Sequence, residues 1–231
     1  MNFSDLGVWE LLQKQMTFKQ LGEISGVNIL DFGSGNGAVA SYYAEKNTVT
    51  AIEPDIDTIK NRIQDFKYTQ ICGNITALTS FQDKTFDMII CHNVFEYAAE
   101  REAVMKEFSR LLKIGGTLSV LKHNRTGRVM QMTVLLNNFE SANSLLDGNN
   151  STAQKYGTIN YYDDEDLLKW SDSFYIDKIF GQRTFWDLQQ NQEIHKDKEW
   201  QRKMLEIENR VSTIDEFKNI AFFHHIILKK K

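Results

Sequence analysis

The chain has 231 residues, of which 42% are hydrophobic and 25% are charged, and these proportions are typical of a globular domain with a sizeable core. A formal net charge of −4 excludes a general electrostatic attraction to nucleic acid. No apolar run approaches the roughly 18 residues that span a bilayer, and no basic-then-apolar leader is visible. We therefore expect a cytoplasmic protein without a membrane partner, in which Cys72 and Cys91 are buried free thiols.

Apolar runs alternate with helical patterns as far as residue 124. The predicted elements are, in chain order, an amphipathic helix (6–21), strand one (VNILDFG), a helix (38–46), strand two (TVTAIEP), a helix (56–66), strand three (YTQICGN), strand four (FDMIICHN), a helix (101–112) and strand five (GGTLSVLKHN). Helices between strands require crossover connections, which pair the strands in parallel. The pattern therefore predicts an α/β fold with a doubly wound sheet.

The alternation ends after residue 124. Residues 125–162 are polar and rich in asparagine, and we predict that they form a small helical cap inserted after strand five. The remaining predicted elements are a helix (163–171), strand six (FYIDKIFGQRTF), a charged helix (193–210) and strand seven (NIAFFHHIILKK). Their spacing leaves the relative direction of the last two strands open. The whole chain, 1–231, is predicted to be a single domain.

Three glycines follow strand one in the stretch NILDFGSGNGAVA. Gly33, Gly35 and Gly37 allow a sharp turn and let a ligand approach the backbone closely. The spacing from Gly33 to Ala38 also satisfies the looser pattern of a dinucleotide-binding loop. Asp31, two residues before the first glycine, would repel a diphosphate but attract the ammonium group of an aminoacyl sulfonium ligand. We therefore interpret the turn as an S-adenosylmethionine site, with a nicotinamide dinucleotide site and a purely structural turn as alternatives.

Glu53 ends strand two, 20 residues after Gly33. A carboxylate at this position can accept hydrogen bonds from both hydroxyls of a ribose. Both candidate cofactors contain a ribose, so Glu53 supports a nucleotide-like ligand without distinguishing between them. The spacing of Cys and His residues does not match a metal-site pattern, so no metal is expected.

The combination of motifs resembles the class I S-adenosylmethionine-dependent methyltransferases. The resemblance covers residues 28–121 and rests on the turn DFGSGNG, on Glu53, and on the stretches CGNITAL, FDMIICHNVFEYAAE and LLKIGGTLSVL. It implies a Rossmann-like seven-stranded sheet in the order 3-2-1-4-5-7-6, with strand seven antiparallel. It also implies methyltransferase activity, with S-adenosyl-L-methionine as the cofactor and S-adenosyl-L-homocysteine as the product.

The same resemblance implies which residues hold the cofactor. Carried over position by position, it places Gly33, Ser34 and Gly35 along the methionine part, Glu53 at the ribose, Asn74 and Ile75 beside the adenine, and His92 below the cofactor at the end of strand four. Together with Asp31 and Gly37 from the turn itself, these residues make up the expected cofactor site.

A narrower resemblance runs through the second half of the chain. The stretches CHNVFEY, SVLKHNRTGRVMQMTVLLNNFESA, GQRTFWDL and EIENR…FFHHIILKKK are similar to the tRNA 5-carboxymethoxyuridine methyltransferases. That family methylates the carboxylate of a modified wobble uridine, so the resemblance implies tRNA as the partner. The alternative is a methyltransferase for a small-molecule carboxylate, hydroxyl or amine; a third possibility is a cofactor-binding module without enzyme activity.

Three arginines lie near predicted strand ends and are candidates for substrate binding. Arg125 and Arg128 follow strand five, and Arg183 lies in GQRTF. The planar fork of arginine suits a carboxylate, which needs orientation but no deprotonation before it accepts a methyl group. With Lys122 they predict a basic rim; a tRNA enzyme should expose such a rim, whereas a small-molecule enzyme should close its cap over an enclosed pocket.

Two histidines lie at the carboxyl ends of predicted strands, where ligands bind in open α/β sheets. His92 ends strand four and His123 ends strand five, so both are candidate catalytic bases if the acceptor is a hydroxyl or an amine. Asn124 and Tyr161 are candidate substrate-binding residues at the pocket floor and in the cap. Glu96, just after strand four, is interpreted as part of a helix start.

Overall fold

The computed structural model describes residues 6–153 and 157–231. Its strands are β1 (Asn28–Phe32), β2 (Thr48–Glu53), β3 (Thr69–Cys72), β4 (Phe86–His92), β5 (Leu112–His123), β6 (Ser151–Ala153), β7 (Gly157–Ile159), β8 (Phe174–Gln182) and β9 (Phe223–Lys230). Its α-helices are α1 (Val8–Leu21), α2 (Ala38–Ala44), α3 (Ile56–Lys60), α4 (Arg101–Leu111), α5 (Arg125–Met130), α6 (Phe139–Leu146), α7 (Asp166–Trp170), α8 (Lys198–Val211) and α9 (Asp215–Lys218). Within the described ranges, no helix combines the length and apolar character needed to cross a bilayer.

Seven strands form one sheet in the order β3-β2-β1-β4-β5-β9-β8. The first five strands of this order pair in parallel, whereas β9 runs antiparallel to both β5 and β8. Because β8 and β9 are the predicted strands six and seven, the predicted order 3-2-1-4-5-7-6 with an antiparallel seventh strand is confirmed. The chain winds outward in both directions from β1 and β4, so their carboxyl ends border the crevice where such sheets bind ligands.

Two apolar layers cover the two faces of the sheet. Successive residues of a strand point to opposite faces, so Ile29 and Leu30 of β1 pack into different layers. The layer of Leu30 includes Phe108 from α4, and the layer of Ile29 includes Tyr43 from α2 and Phe18 from α1. The central strands are therefore buried on both faces, which explains why they are almost continuously apolar in sequence.

The segment predicted as a helical cap is not entirely helical. It contains α5, a π-helical turn (Gln131–Leu135) and α6, and then β6 and β7 pair as a separate antiparallel hairpin. The sequence did not predict the hairpin, because each of its strands has only three residues and shows no alternating apolar pattern. Residues 154–156 of the predicted cap lie outside the described residues.

Two further expectations differ from the structure. The charged helix predicted over 193–210 begins at residue 198, because the Asp197 side chain accepts a hydrogen bond from the Trp200 amide (2.7 Å) and caps the helix there. Cys91 is buried, but Cys72 is exposed, so the expectation of burial is wrong for Cys72. Cys72 ends β3, which is an edge strand, and an edge strand is less covered than a central one.

Candidate active site

The glycine turn joins the end of β1 to the start of α2. Its glycines have positive φ angles, at +75° for Gly33, +52° for Gly35 and +74° for Gly37. A Cβ atom at Gly37 would lie 2.2 Å from the Tyr68 hydroxyl, so only glycine fits there. At Gly35, by contrast, the space that a Cβ would occupy is open to at least 4 Å, so the backbone of this residue is accessible to a ligand.

Glu53 lies directly beside the glycine turn, as the sequence pattern predicts. Its Oε2 atom accepts a hydrogen bond from the Gly35 amide (2.9 Å), and its Oε1 atom accepts one from the Asp55 amide (3.1 Å). These bonds hold the carboxylate at the carboxyl end of β2 and next to the accessible Gly35 backbone. A vicinal diol at this position could donate to the remaining lone pairs of the carboxylate.

Asp31 is a buried carboxyl group at the end of β1. Its Oδ2 atom has no hydrogen-bond partner among the described residues. Burial raises the pKa of Asp31 to about 7, although the Lys14 ammonium from α1 acts in the opposite direction. Burying a charged carboxylate without a full set of hydrogen-bond partners costs folding free energy. A bound cation would stabilise the charged form.

Other polar atoms at the same sheet edge also lack partners. The buried Ser34 Oγ follows β1, and the buried His92 Nδ1 and Asn93 Oδ1 lie at the end of β4, all without hydrogen-bond partners among the described residues. Buried polar atoms in folded proteins are nearly always hydrogen-bonded. Four such atoms, counting Asp31 Oδ2, at the ends of two adjacent strands fit a polar ligand that supplies the missing partners.

A hydrogen-bond chain sets the tautomer of His92. His225 Nδ1 donates to Gln20 Oε1 (2.7 Å), so the neutral His225 ring accepts at Nε2 from the Ser119 hydroxyl (2.8 Å). The Ser119 oxygen then accepts from His92 Nε2 (2.8 Å), which leaves His92 Nδ1 as an acceptor. Burial lowers the pKa of His225 to about 3 and that of His92 well below its ordinary value, in keeping with two neutral rings.

The residues expected beside the adenine lie after β3. The Asn74 side chain accepts a hydrogen bond from the Thr76 amide (3.0 Å) and caps a 3-10 helix over Ile75–Ser80. Ile75 packs against the main core. The Gly73 amide donates to the Glu53 carbonyl (3.0 Å), so this turn adjoins the ribose position on β2. The adenine contacts of Asn74 and Ile75 remain a prediction.

All three candidate arginines make internal contacts, beginning with Arg183 and Arg125. Arg183 donates to both carboxylate oxygens of Asp187, with 2.8 Å between Nε and Oδ2. Arg125 donates to the Leu145 carbonyl (3.2 Å), and its guanidinium lies 4.8 Å from the ring centre of Tyr161. Both groups are therefore already held by protein partners.

Arg128 differs from the other two arginines. Its Nε atom is buried and has no partner among the described residues, although its NH1 group donates to Gln131. Its guanidinium lies 5.7 Å from the ring centre of Phe222, and the guanidinium of Arg183 lies 4.9 Å from the same ring. Burial lowers the pKa of Arg128, and the nearby Arg183 adds to this effect. Asp187 pairs with Arg183, whereas Arg128 forms no ion pair with it and is influenced by its charge only at longer range.

The other predicted substrate residues also have internal partners. Asn124 donates to the carbonyl groups of Asn219 (2.9 Å) and Ala221 (2.8 Å). The Tyr161 hydroxyl lies 2.9 Å from Ser151 Oγ within the cap. Their contact with a substrate stays a prediction.

Lys122 lies in the interior and not on the predicted basic rim. Its ammonium pairs with Asp164 Oδ1 (2.8 Å), while His224 Nδ1 lies 2.8 Å from Asp164 Oδ2. The Lys122 side chain is 4% exposed and that of Arg183 is 7% exposed. The contiguous basic surface expected from these residues is therefore not assembled, because two of its members form buried ion pairs.

Sequence analysis missed three side chains that contribute to this region. Lys14 is brought close to Asp31 by the packing of α1, and Asp164 reaches Lys122 across 42 residues. Glu96 is fully buried and contacts His123, although it was interpreted as part of a helix start. The contact of Glu96 with His123 could have been predicted from its position, because Glu96 follows β4 and β4 lies next to β5, the strand that carries His123.

Comparisons with known proteins bear on the family and the fold. Residues 30–120 match the protein family described as "Methyltransferase domain". The chain is 31% identical over 133 residues to an uncharacterized protein of Methanocaldococcus jannaschii, covering 57% of this chain and 55% of the relative. It is 24% identical over 124 residues to a ubiquinone biosynthesis O-methyltransferase of Paracidovorax citrulli, covering 50% of this chain and 51% of the relative. The chain thus spans about half the length of these curated relatives.

A solved structure extends the likeness in fold to nearly the whole chain. The crystal structure of an S-adenosylmethionine-dependent methyltransferase from Methanosarcina mazei superposes with a TM-score of 0.57 at 16% identity, covering 92% of this chain and 96% of that chain. The fold is therefore that of the class I S-adenosylmethionine-dependent methyltransferases. Residues 30–120 match the methyltransferase family model, and this match together with the fold supports S-adenosylmethionine as the cofactor. We therefore do not pursue a nicotinamide dinucleotide as the cofactor.

Proposed function

We propose that this protein transfers the methyl group of S-adenosylmethionine to a small organic anion. The observation that carries the proposal is the set of unpartnered buried polar atoms at the ends of β1 and β4, above all Asp31 Oδ2 beside the glycine turn. When bound, the cofactor supplies a methyl group on a positively charged sulfur. The task of the protein is then to align the methyl group with the acceptor.

The residues around the turn fit the chemical groups of the cofactor. Asp31 would accept hydrogen bonds from the ammonium group of its methionine part, which removes the cost of an incompletely paired buried carboxylate. Lys14, close to Asp31, would face the carboxylate of the same part. Glu53 would accept from the two ribose hydroxyls next to Gly35.

Replacing Glu53 by alanine is expected to weaken cofactor binding by about 1–3 kcal/mol, because the ribose hydroxyls lose a charged acceptor. Calorimetric titration of the protein with S-adenosylhomocysteine measures this loss. Glu45→Ala, which removes an exposed carboxylate after α2, is the matched control and should bind normally. An unchanged affinity for Glu53→Ala would exclude Glu53 as the ribose acid.

The charge distribution favours a small anionic acceptor over a large nucleic acid. Lys122 and Arg183 are buried in ion pairs, so they cannot form the exposed basic rim that would track a phosphate backbone. Arg128, in contrast, keeps a buried donor without a partner beside the ring of Phe222. A guanidinium that has no ion-pair partner among the described residues and lies next to an aromatic ring suits a carboxylate on a compact, partly apolar molecule.

Arg128→Ala is expected to raise the KM for the acceptor about 10- to 100-fold, because a charge-assisted hydrogen bond is lost. The affinity for S-adenosylhomocysteine should stay the same, since the proposal assigns Arg128 to the acceptor and not to the cofactor. Arg202→Ala, which removes an exposed arginine from α8, serves as the control. A normal KM for Arg128→Ala would show that this side chain does not bind the acceptor.

The second candidate acceptor is the carboxylate of a modified wobble uridine in tRNA, as the narrower sequence resemblance implies. The stacking of Arg125 on Tyr161 in the cap supports this candidate, because such pairs can also stack on an unpaired base. Incubation with cofactor labelled in the methyl group, beside bulk tRNA and a small-metabolite extract, decides between the two. Label in the metabolite fraction supports the first proposal, and label in tRNA supports the second.

A further inference from the structure

Glu96 and His123 form a buried contact at the end of β5 that the proposed function does not yet use. Glu96 is fully buried in the turn after β4. Its Oε1 atom accepts a hydrogen bond from the backbone amide of His123 (2.7 Å) and lies 3.1 Å from Nδ1 of the His123 ring. A single carboxylate oxygen therefore holds both the backbone and the ring of this histidine.

The contact determines which ring nitrogen of His123 is available. An ionised carboxylate can only accept, so the proton of the neutral ring is on Nδ1 and points to Glu96. Nε2 is then an acceptor. The ring also packs against Phe222 and Phe223, with centroid distances of 5.8 and 4.7 Å, and these contacts limit its rotation.

The position of Glu96 is itself fixed by the cap. Asn160, just before Tyr161, donates to the Glu96 carbonyl from its backbone amide (3.2 Å) and from its side-chain Nδ2 (2.9 Å). Arg101 of α4 in turn donates to the Asn160 carbonyl (2.7 Å). The cap therefore holds the turn that carries Glu96 against the end of β5.

Few charged groups lie around the His123 ring. Glu96 contacts it directly, from the turn after β4. Arg128 from α5 and Arg183 from the segment after β8 stack on the same Phe222 ring that His123 contacts, and Asp187 pairs with Arg183. The guanidinium of Arg128 and the ring of His123 thus both contact one aromatic residue, Phe222.

We propose that the methyl-accepting group is a hydroxyl, that His123 removes its proton, and that Glu96 is the positioning residue for His123. This inference rests on the proposed function and specifies its acceptor as a molecule with a hydroxyl and an anionic group. The hydroxyl oxygen forms a bond to the methyl carbon while the carbon–sulfur bond breaks and its electron pair stays on sulfur. The hydroxyl proton moves to His123 Nε2, and the Glu96 carboxylate stabilises the resulting imidazolium.

The first test determines the tautomer of the His123 ring in the protein without cofactor or acceptor. Nitrogen-15 NMR of the histidine side chains should show the Nδ1–H tautomer for His123 in the unmodified protein, with the signal assigned through His123→Asn. Glu96→Gln keeps an oxygen for the backbone amide and removes the charge, and Glu96→Ala removes both. A mixture dominated by the Nε2–H tautomer in Glu96→Ala supports the proposal, whereas an unchanged tautomer overturns it.

The second test identifies the atom that is methylated. The probes are 3-hydroxybenzoate, which has one hydroxyl and one carboxylate, and the small-metabolite extract, each incubated with methyl-labelled cofactor. A methyl ether survives mild alkali, whereas a methyl ester releases labelled methanol. Label recovered as 3-methoxybenzoate, or as a methyl ether in the metabolite fraction, supports the proposal, and label found only as ester, only on nitrogen or only in tRNA overturns it.

The third test separates positioning from folding. Glu96→Gln should lower kcat about 100-fold and move the acidic limb of the pH–rate profile to lower pH, with little change in KM. Glu208→Gln is the matched control, because Glu208 is equally buried but accepts only from backbone amides and does not contact His123. It should lower the thermal midpoint without moving the pH profile. The same profile shift in both variants would overturn the role of Glu96.

Failure of the inference and failure of the proposed function give different results. Normal binding of S-adenosylhomocysteine with transfer only to carboxylates overturns the inference and leaves the methyltransferase function intact. Absence of S-adenosylhomocysteine binding, or of transfer to every fraction, overturns both.

Discussion

Asp164→Asn is expected to destabilise the fold by about 3–5 kcal/mol, because it leaves the buried Lys122 ammonium without a counter-charge. Asp164 pairs with Lys122 through Oδ1 and contacts His224 through Oδ2, both at 2.8 Å. The ion pair ties the segment after the cap to β5, and the contact with His224 ties it to β9. Loss of the carboxylate therefore weakens the docking of this segment against two neighbouring strands.

The same carboxylate makes stability depend on pH. Burial opposes the ionisation of Asp164, but the hydrogen bond from His224 and the charge of Lys122 outweigh it and lower its pKa to about 2. The ordinary pKa of an unfolded aspartate is about 3.9, so the folded state stabilises the charged form by about 2.5 kcal/mol. This contribution is fully present above about pH 4 and is lost as the pH falls through the folded pKa.

Urea denaturation at pH 7 and at a series of lower pH values checks both effects. The unmodified protein should lose stability between about pH 4 and 2, and Asp164→Asn should lose less over that interval because it lacks this group. Asp163→Asn, at an exposed neighbouring position, is the control and should behave like the unmodified protein. If Asp164→Asn unfolded at the same urea concentration as the unmodified protein at pH 7, the ion pair would contribute nothing to stability.

Glu208→Ala is expected to lower the free energy of unfolding by about 3–5 kcal/mol, because three backbone amides lose the side-chain acceptor that they share in the interior. The Glu208 carboxylate accepts from the amides of Thr184 (2.8 Å), Phe185 (2.8 Å) and Trp186 (2.9 Å). It thereby holds the segment that follows β8 and carries Arg183, a residue with a φ of +62°. A non-glycine residue in that conformation needs the surrounding contacts to keep it there.

Thermal and urea denaturation measure the loss, and Glu206→Ala on the exposed side of the same helix is the control. Glu208→Gln should be less destabilising than Glu208→Ala, because the amide oxygen can still accept two of the three bonds. Equal stability of Glu208→Ala and Glu206→Ala would mean that the three amides find other partners.

Local sequence patterns predicted the alternation of strands and helices and the glycine turn after β1, while the contacts of these residues with the cofactor stay a prediction. The glycines after β1, the acid that ends β2, and the alternation of strands with helices all depend on residues close together in the chain. The turn brings Gly35 and Glu53 to 2.9 Å because parallel strands β1 and β2 end at the same sheet edge. The proximity of the glycine turn and Glu53 follows from the parallel direction of β1 and β2. It can therefore be predicted without knowledge of any other tertiary contact.

The internal partners of the candidate substrate-binding residues were not predicted, because these contacts join distant segments of the chain. Arg183 looked available for a substrate, yet the left-handed backbone at this residue places its guanidinium on Asp187. Lys122 looked like part of an exposed rim, but folding brings Asp164 to it from beyond the cap. Their residue types indicated that Arg183 and Lys122 could bind an anion. They did not indicate that carboxylates of the protein itself would occupy both side chains.

The amino-acid sequence by itself determined the α/β class and the position of the glycine turn, since these follow from periodicity and short-range spacing, and its family resemblance implied the strand order. Only the tertiary structure decided which charged groups are neutralised internally and which keep an unused donor or acceptor, such as Arg128 Nε and His92 Nδ1. The physical reason is that the state of a buried charge depends on its nearest neighbours in space, and in this protein the partner of His123 is 27 residues away and that of Lys122 is 42 residues away in sequence.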